Sequence, residues 1–327
     1  MLVSKDLFPI DEKDWHSFLR DYFCDKDAIP TIENDKVRLR LEWPSDVDRH
    51  VDPNLQENLQ WLGKELTLSS MWSFRKRNGR IFTVLYDTWT LLSWSEWLSR
   101  TPSNKHKNIV ILHADDHRDL GSPRIVTKDG VLLDAITGES INIYDPHTVQ
   151  KAIESGAIGM GSFMTPFICE IPSTQVRHLC QPPKLSGNSK IQMNSSDREL
   201  DKLLHYGASR MSLELVNDDH KWNYLATSDP SMWINDISDK TVLVHIDMDY
   251  FNNRYDGDSE WRVRPSRLDP DTRVMNGKID ELIETLSSIK LKIEDVTIAF
   301  SPGFFPAEYW RDAYQRLQVG LEKVLCV

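Results

Sequence analysis

The sequence predicts a mixed α/β protein in which helices cover both faces of a mostly parallel sheet. Apolar strands are expected at 109–114, 241–246 and 296–300, and helical segments alternate with them along the chain. The first two strands are almost continuously apolar, which is typical of parallel strands buried on both faces. Polar residues follow the carboxyl end of each strand, and that edge is where such sheets carry their functional sites. We therefore expect a three-layer α/β/α architecture with a site at this edge.

The amino-terminal part predicts a helical lead-in, residues 1–70, packed on a single domain that spans 1–327. Apolar residues recur there at helical spacing, at Trp15, Phe18, Leu19 and Phe23. An Asn78-Gly79 turn then predicts a β-hairpin with strands at 71–74 and 80–86.

Turns and helices are expected around the apolar strands. Two turn signals, Asp129-Gly130 and Thr137-Gly138, predict a small β-hairpin excursion that decorates the sheet. The polar stretch 181–197 predicts an exposed loop. Helices are expected at 89–98, 147–155, 198–208, 278–290 and 307–325.

Composition narrows the function classes. The chain has 327 residues and a net charge of −11. This charge disfavours nucleic-acid binding, which needs a basic face, and weakly favours a cationic substrate. No apolar run reaches the roughly 18 residues of a transmembrane helix, and the amino terminus carries no signal-peptide core, so we expect a cytoplasmic protein with no membrane partner. The four cysteines form no CxxC pair, which predicts reduced thiols. The oligomeric state is left open.

Two strand ends carry residue types that bind metal ions. Asp115, His117 and Asp119 follow the first apolar strand at alternate positions, and alternate side chains of an extended chain point to one side. Asp247 and Asp249 repeat this spacing after the second strand. Such an oxygen-rich set suits Mn²⁺, Mg²⁺ or Fe²⁺. Because one catalytic zinc takes three protein ligands, five suit two metals that share bridging carboxylates.

Other residues are weaker candidates. Asp87 ends the strand 80–86 and is either a cap or a sixth metal ligand. His113 and His245 each lie two residues before the first Asp of a motif. We expect both to be buried histidines that donate to a carboxylate, and the alternative is that they extend the ligand row. Ser162 and Glu308 are candidate substrate-binding residues, although Glu308 also fits the first turn of a helix.

Three segments resemble the peptide arginases of the arginase-like ureohydrolase superfamily. They are His-Ala-Asp-Asp-His-Arg-Asp-Leu at 113–120, Gly-Ser-Phe-Met-Thr-Pro at 161–166 and Phe-Ser-Pro-Gly-Phe at 300–304. The resemblance covers about residues 80–310. It implies an arginase-like α/β/α fold that binds two Mn²⁺ ions. It also implies conversion of peptidyl-arginine to peptidyl-ornithine with release of urea, in pathways that modify ribosomally synthesised peptides, with an arginine-containing precursor peptide as substrate.

The resemblance also implies roles for the motif residues. Asp115 and Asp247 would bridge the two metals. His117 and Asp249 would complete one metal, and Asp119 would serve the other. A metal-bridging hydroxide would attack the guanidinium carbon, and Asp249 would be the catalytic group that moves a proton to the departing amine.

One departure from the superfamily concerns the upstream histidine ligand, since no His lies between 51 and 105. Either Asp87 takes its place or that metal carries an extra water. Arginase loops that read free arginine are also absent, and the polar stretches 181–197 and 253–276 predict walls of an open groove. We therefore expect peptidyl-arginine to be a better substrate than free arginine.

Three other functions remain open. A deacetylase-type amidohydrolase on the same fold would use one Zn²⁺ held by Asp115, His117 and Asp247. A non-catalytic binding protein on a degenerate scaffold would explain the missing histidine. A metallophosphoesterase is the weakest alternative, because the chain has no Gly-Asn-His-[Glu/Asp] segment.

Overall fold

The computed structural model describes most of the chain. The described residues are 1–23, 25–47, 49–185, 187–201, 203–204, 209–217, 221–257, 266 and 269–326. No helix within these residues is long and apolar enough to cross a membrane.

The elements are numbered in chain order. The strands are β1 (Leu2–Ser4), β2 (Asp27–Glu33), β3 (Lys36–Glu42), β4 (Arg75–Asn78), β5 (Ile81–Val84), β6 (Ile109–Ala114), β7 (Ile125–Lys128), β8 (Val131–Asp134), β9 (Ser140–Ile141), β10 (Gln175–Leu179), β11 (Ser189–Leu200), β12 (Ser209–Asn217), β13 (Tyr224–Thr227), β14 (Thr241–Asp247) and β15 (Ile293–Ala299). The helices are α1 (Trp15–Phe23), α2 (Leu55–Leu62), α3 (Thr90–Arg100), α4 (Pro146–Ser155), α5 (Met164–Glu170), α6 (Pro230–Trp233), α7 (Thr272–Ser288) and α8 (Trp310–Leu325).

A large mixed sheet confirms the α/β class. Its strand order within the described residues is β4-β5-β15-β14-β6-β10-β13-β11-β12-β7-β8-β9. The six strands from β5 to β13 pair in parallel. The pairings at both flanks are antiparallel. The sheet is therefore parallel at its centre rather than along most of its width.

The long strands β11 and β12 correct two predictions. The stretch 181–197 is not an exposed loop throughout, because β11 begins at Ser189 and pairs with both β12 and β13. Ile191 and Met193 alternate inward along it and are buried. The helix expected at 198–208 is also wrong at 198–200, which continue β11, and 205–208 lie outside the described residues.

The amino-terminal lead-in is less helical than predicted. It contains α1 and α2, but also a three-stranded antiparallel sheet in the order β1-β3-β2. Along β3, Val37 and Leu39 are buried between exposed charged neighbours. This alternation is the strand period. The buried faces of α1 and of this small sheet share one apolar cluster with residues of the β7–β8 hairpin.

Several local predictions are confirmed. The β4–β5 hairpin turns at Gly79 with φ of 56°, although 71–73 form a 3₁₀ turn rather than a strand. The β7–β8 hairpin is the expected excursion. Helices α3, α4, α7 and α8 lie close to the expected ranges, and the tryptophans of the first are buried as core.

A stack of tryptophans joins the lead-in to the main sheet. Trp43 stacks on Trp72 with ring centroids 4.5 Å apart and planes inclined by 7°. Trp72 in turn lies 6.2 Å from Trp89, at the start of α3. Lys26 places its ammonium 4.7 Å above the Trp43 ring.

The amino ends of the parallel strands carry a buried ion pair. Asp295 of β15 is fully buried. It accepts a hydrogen bond of 2.9 Å from Arg77 and a second one from Ser93. Burial raises the pKa of this carboxyl, and the Arg77 and Ser93 interactions act in the opposite direction.

Candidate metal centre and its cavity

Parallel pairing brings the two predicted metal motifs together. Strand β14 runs beside β6 with His245 opposite His113 and Ile246 opposite Ala114. The residues that follow, Asp247 and Asp115, therefore leave the same edge of the sheet side by side. Ser301, which follows β15, donates a hydrogen bond to Asp247 Oδ2.

Four of the five motif residues fall into two tight groups of possible ligands, and Asp247 belongs to neither group. His117 Nδ1 is 2.9 Å from Asp249 Oδ2 and 3.6 Å from Asp115 Oδ1. One atom from each of these three side chains lies within 4.8 Å of the others. A second group, in which all four residues are buried, consists of His113, Asp115, Asp119 and His245. This buried His/Asp cluster could hold a metal ion.

The second oxygen of two carboxylates in the cluster lacks a partner. Asp115 Oδ1 accepts a 2.6 Å hydrogen bond from the His117 N–H, but Asp115 Oδ2 and Asp119 Oδ2 are buried without any hydrogen bond from the described residues. A buried anionic oxygen without a donor is costly. A cation between these oxygens removes that cost, so the donor set fits a divalent ion.

The electrostatics of the cluster point the same way. Burial raises the pKa of Asp115 and Asp247 well above the ordinary value, and neighbouring carboxylates raise both further. Burial likewise raises the pKa of Asp119 to about 6. For His117 burial lowers the pKa, but contact with Asp249 outweighs it and brings the pKa to about 10. The carboxyls and His117 therefore hold protons up to a higher pH than usual, because positive charge is favourable at this position.

Asp87, the candidate sixth ligand, lies beside these groups. It follows β5 in a 3₁₀ turn and is buried. Its Oδ2 accepts a 3.3 Å hydrogen bond from the Gly161 N–H. Burial, and then the charges of Asp119 and Asp25, raise its pKa well above the ordinary value. Asp87 belongs to none of the tight ligand groups found among the described residues.

A third acidic group already has a protein cation. His117 Nε2 lies 2.9 Å from Asp256 Oδ1. Lys184 Nζ lies 2.6 Å from Asp116 Oδ2 and 3.0 Å from the same Asp256 oxygen. The ammonium contacts both carboxylates and His117 contacts Asp256 as well, so this outer group is a structural ion-pair network rather than a metal site. Asp116 is thus turned away from the cluster, as its alternate position predicts.

A row of three histidines includes the two histidines of the buried His/Asp cluster. His178, His113 and His245 stand opposite one another on β10, β6 and β14. Burial lowers the pKa of His178 to about 4 and that of His245 to about 3, so both are neutral. The expected hydrogen bond from His113 or His245 to a carboxylate is absent among the described residues. Instead the two rings contact each other, Nδ1 to Nδ1, at 2.9 Å.

The row fixes the backbone of the metal loop. His113 Nε2 donates to the His117 carbonyl and His178 Nε2 donates to the Asp115 carbonyl, each at 2.9 Å. Because a carbonyl only accepts, both Nε2 atoms carry the hydrogen, which leaves His178 Nδ1 to accept from the Tyr224 hydroxyl at 2.7 Å. Sequence reasoning missed His178, because no carboxylate motif follows its strand as Asp115 and Asp247 follow the other two.

The cluster forms one side of a cavity of about 560 Å³. Asp87, Asp119, Asp247 and Asp249 line it there. The opposite wall comes from the amino-terminal lead-in, which sequence reasoning did not assign to the site. That wall includes Arg20, Asp25, Arg49, His50 and Val51.

Two buried groups of this wall face the cavity without a full set of partners. Asp25 Oδ2 accepts a 2.8 Å hydrogen bond from the Met160 N–H, and its Oδ1 has no hydrogen bond among the described residues. Burial raises the pKa of Asp25 to about 6. Burial lowers the pKa of His50 to about 4, and its buried Nε2 has no partner in the described part of the chain.

The backbone around the cavity is strained at three non-glycine positions. Val51, Asp119 and Ser301 have φ of 49°, 51° and 46°. A positive φ is rare for a β-branched residue such as valine, and such strain concentrates at functional sites. Gly303 has φ of 91°, and a Cβ there would lie 2.7 Å from the His50 carbonyl oxygen. The lead-in and the loop after β15 are thus in close contact.

The two candidate substrate-binding residues do not line the cavity. Ser162 Oγ donates to the Gly159 carbonyl at 2.8 Å and accepts from its N–H at 3.2 Å. Glu308 is 2.6 Å from Arg254 Nη1 and accepts a 3.1 Å hydrogen bond from the Asn54 amide. Both side chains hold loops together through these contacts, and their role in substrate binding remains a prediction.

Comparison with known proteins adds no relative. No protein-family model matches the chain, and a search of the curated proteins returns no match.

Proposed function

We propose that the protein is a metal-dependent hydrolase of the peptide-arginase type, which converts peptidyl-arginine to peptidyl-ornithine and urea. The supporting observation is the buried carboxylate cluster, with its unpaired oxygens at Asp115 and Asp119, beside a cavity. An arginase-like three-layer fold accompanies this proposal. It is supported by the parallel centre of the sheet and by the position of both metal motifs at the carboxyl ends of neighbouring strands.

The proposed cofactor is a pair of Mn²⁺ ions. Asp115, His117, Asp119, Asp247 and Asp249 would hold them, and these mostly hard oxygen donors favour Mn²⁺ over Zn²⁺. Asp87 takes the place of the upstream histidine. When bound, two divalent cations supply Lewis acidity and lower the pKa of water, so that a nucleophile is present at neutral pH.

The chain's own residues provide charge and proton transfer. A guanidinium stays protonated at neutral pH, and the carboxylate of Asp25, which lines the cavity, attracts it. The C–N bond to the side-chain nitrogen breaks, and the water oxygen ends in urea. Asp249 then carries the proton to the departing amine. Its Oδ1 is held at 3.1 Å by the Asp116 N–H, which fixes the carboxylate toward the cavity.

Mass spectrometry of candidate substrates tests this proposal. The Mn²⁺-loaded chain is incubated with arginine-containing peptides and with free arginine. We expect a loss of about 42 Da per arginine in the peptide, as guanidinium hydrolysis to an amine requires, with a lower kcat/KM for free arginine. Asp249→Asn should abolish the loss, whereas Asp280→Asn, which removes an exposed partner of Arg316 outside the cavity, should retain it.

Each contrary result selects a different function. Turnover of acetyl-lysine peptides with Zn²⁺ alone would support the deacetylase-type alternative. Tight cation and peptide binding without any turnover would support a binding protein on the same scaffold. A higher kcat/KM for free arginine would leave the chemistry intact but show that a peptide is not preferred.

A further inference from the structure

The cavity has two electrostatic sides. Its carboxylates, including Asp87, Asp119 and Asp247, are all buried. Three arginines, Arg20, Arg49 and Arg118, line the same cavity. Arg20 and Arg49 are half-buried, and Arg118 is exposed. The negative side is therefore deep and the positive side lies toward solvent.

Arg20 and Arg118 differ from the third arginine of the cavity and from several arginines elsewhere. Arg49 lies 3.1 Å from Asp27, Arg210 lies 3.3 Å from Asp201, and Arg254 lies 2.6 Å from Glu308. Neither Arg20 nor Arg118 has an ion pair or hydrogen bond with a described residue. The two guanidinium groups are available to a ligand, and their fork of donors matches a carboxylate.

We infer that Arg20 and Arg118 bind a carboxylate that lies beside the target arginine in the substrate. The identity of the cationic end rests on the proposed function, whereas the carboxylate end rests on the two arginines. The substrate is then an acylated arginine followed by an anionic group. That group is either the carboxylate of a C-terminal arginine or the side chain of an acidic neighbour.

His50 is independent support for a binding site at this wall. Its ring is 5% exposed and lines the cavity. One ring nitrogen interacts with the Pro44 carbonyl, which leaves Nε2 as an unpartnered acceptor. Such an acceptor suits an N–H of the ligand. The wall thus offers an acceptor for an amide beside donors for a carboxylate, as an acylated amino acid requires.

The same arrangement explains discrimination against a free amino acid. Free arginine carries an α-ammonium next to its carboxylate. That ammonium would approach Arg20 and Arg118, and like charges in a partly desolvated site repel each other. Acylation removes the charge and leaves an N–H donor. The structure therefore favours a peptide without requiring an open groove.

Binding of reaction products tests the inference without turnover. The full Mn²⁺-loaded chain is titrated by calorimetry with Nα-acetyl-ornithine and with its neutral amide, which differ by one carboxylate. We expect the acid to bind about tenfold more tightly, as a charge-assisted pair of arginine and carboxylate provides. Free ornithine should bind more weakly than its acetylated form. Nα-acetyl-ornithyl-aspartate amide distinguishes an acidic neighbour from a C-terminal carboxylate.

A double variant of the two arginines and a control variant test whether these residues cause the difference in affinity. In Arg20→Gln/Arg118→Gln the ratio of the two affinities should fall to about one, with the amide's affinity unchanged. Arg311→Gln, an exposed arginine of α8 outside the cavity, should keep the wild-type ratio. Equal affinities in the wild type, or an unchanged ratio in the double variant, would overturn the inference alone. Failure of every ligand to bind would overturn the proposed function as well.

Discussion

The two edges of the central parallel sheet treat buried carboxylates in opposite ways. At the amino ends of the strands, Asp295 is fully buried and receives hydrogen bonds from Arg77 and Ser93. At the carboxyl ends, Asp115 and Asp119 are also buried, and each keeps one oxygen without a partner among the described residues. The fold is thus able to neutralise a buried carboxylate with its own residues, and at one edge it does not. The carboxyl edge, with its unpaired carboxylate oxygens, is therefore the edge suited to bind an external cation.

Replacing one carboxylate at each edge by asparagine should give the largest effects, on cation binding at one edge and on stability at the other. Asp115→Asn should abolish cation binding and activity, and should not destabilise the metal-free chain, because it removes repulsion among neighbouring carboxylates. Asp295→Asn should retain the cation but lower the free energy of unfolding by about 3 kcal/mol, because Arg77 loses its buried partner. Elemental analysis and denaturant unfolding measure the two quantities. Full cation content in Asp115→Asn would remove the distinction between the edges.

Cation binding at the carboxyl edge should also depend on pH. Because burial raises the pKa of Asp119 to about 6, this carboxyl holds a proton below that pH, and a cation must displace it. His117, with a pKa of about 10, acts in the same direction. The rise in melting temperature caused by Mn²⁺ should therefore be large at pH 7.5 and be lost as pH falls through about 6.

The comparison with and without Mn²⁺ at each pH is needed for this test. Burial lowers the pKa of His178 to about 4, so this histidine destabilises the folded chain as pH falls below the ordinary value. This contribution is common to both melts and cancels in their difference. Asp119→Asn should flatten the pH dependence near 6. A Mn²⁺ effect that is equal at pH 5 and pH 7.5 would contradict the assignment.

Loosening the histidine row should have an intermediate effect that is confined to the carboxyl edge. His178→Phe fills a similar space but cannot donate to the Asp115 carbonyl. We expect Mn²⁺ affinity to fall about 10- to 100-fold, as for partners that orient metal ligands elsewhere. Tyr224→Phe, which only removes the hydroxyl that bonds His178, should have a smaller effect. A lower melting temperature with an unchanged dissociation constant for Mn²⁺ would reduce His178 to a packing role.

The smallest effect is expected from Ser162. Ser162→Ala removes the hydroxyl that bonds Gly159 within its own loop, at a cost of about 1 kcal/mol in stability. Because this hydroxyl does not line the cavity, kcat/KM for the peptide should be unchanged. A clear fall in kcat/KM, with cation affinity retained, would restore Ser162 as a substrate-binding residue.

The parts of the site that could be predicted are those encoded locally. The alternation of Asp115, His117 and Asp119 after an apolar strand places three side chains on one side without knowledge of the fold. His178 could not be found in this way, because its role depends on the register of β10 beside β6. The lead-in wall, including His50, depends on how two distant parts of the chain pack, which no local pattern specifies.

The elements of the fold that could be predicted are likewise those with a clear local pattern. The central parallel strands were predicted because strands buried on both faces are apolar throughout. Strand β11 was mistaken for a loop because Ser, Asn and Gly near its start resemble a turn. Strand β3 is not predicted, although Val37 and Leu39 alternate with charged residues, because the helical spacing of Trp15 to Phe23 favours a helical lead-in throughout.

The tryptophan stack provides a spectroscopic signal for the position of the cavity wall. Trp43 belongs to the same segment as His50, and its ring lies 4.5 Å from that of Trp72 with planes only 7° apart. Two indoles held so close interact electronically, and their contribution to the circular dichroism depends on the distance and relative rotation of the rings. Movement of the lead-in away from the sheet would separate the rings and remove this signal. Circular dichroism of the tryptophans therefore reports, without an added label, whether the lead-in stays in contact with the residues before β4.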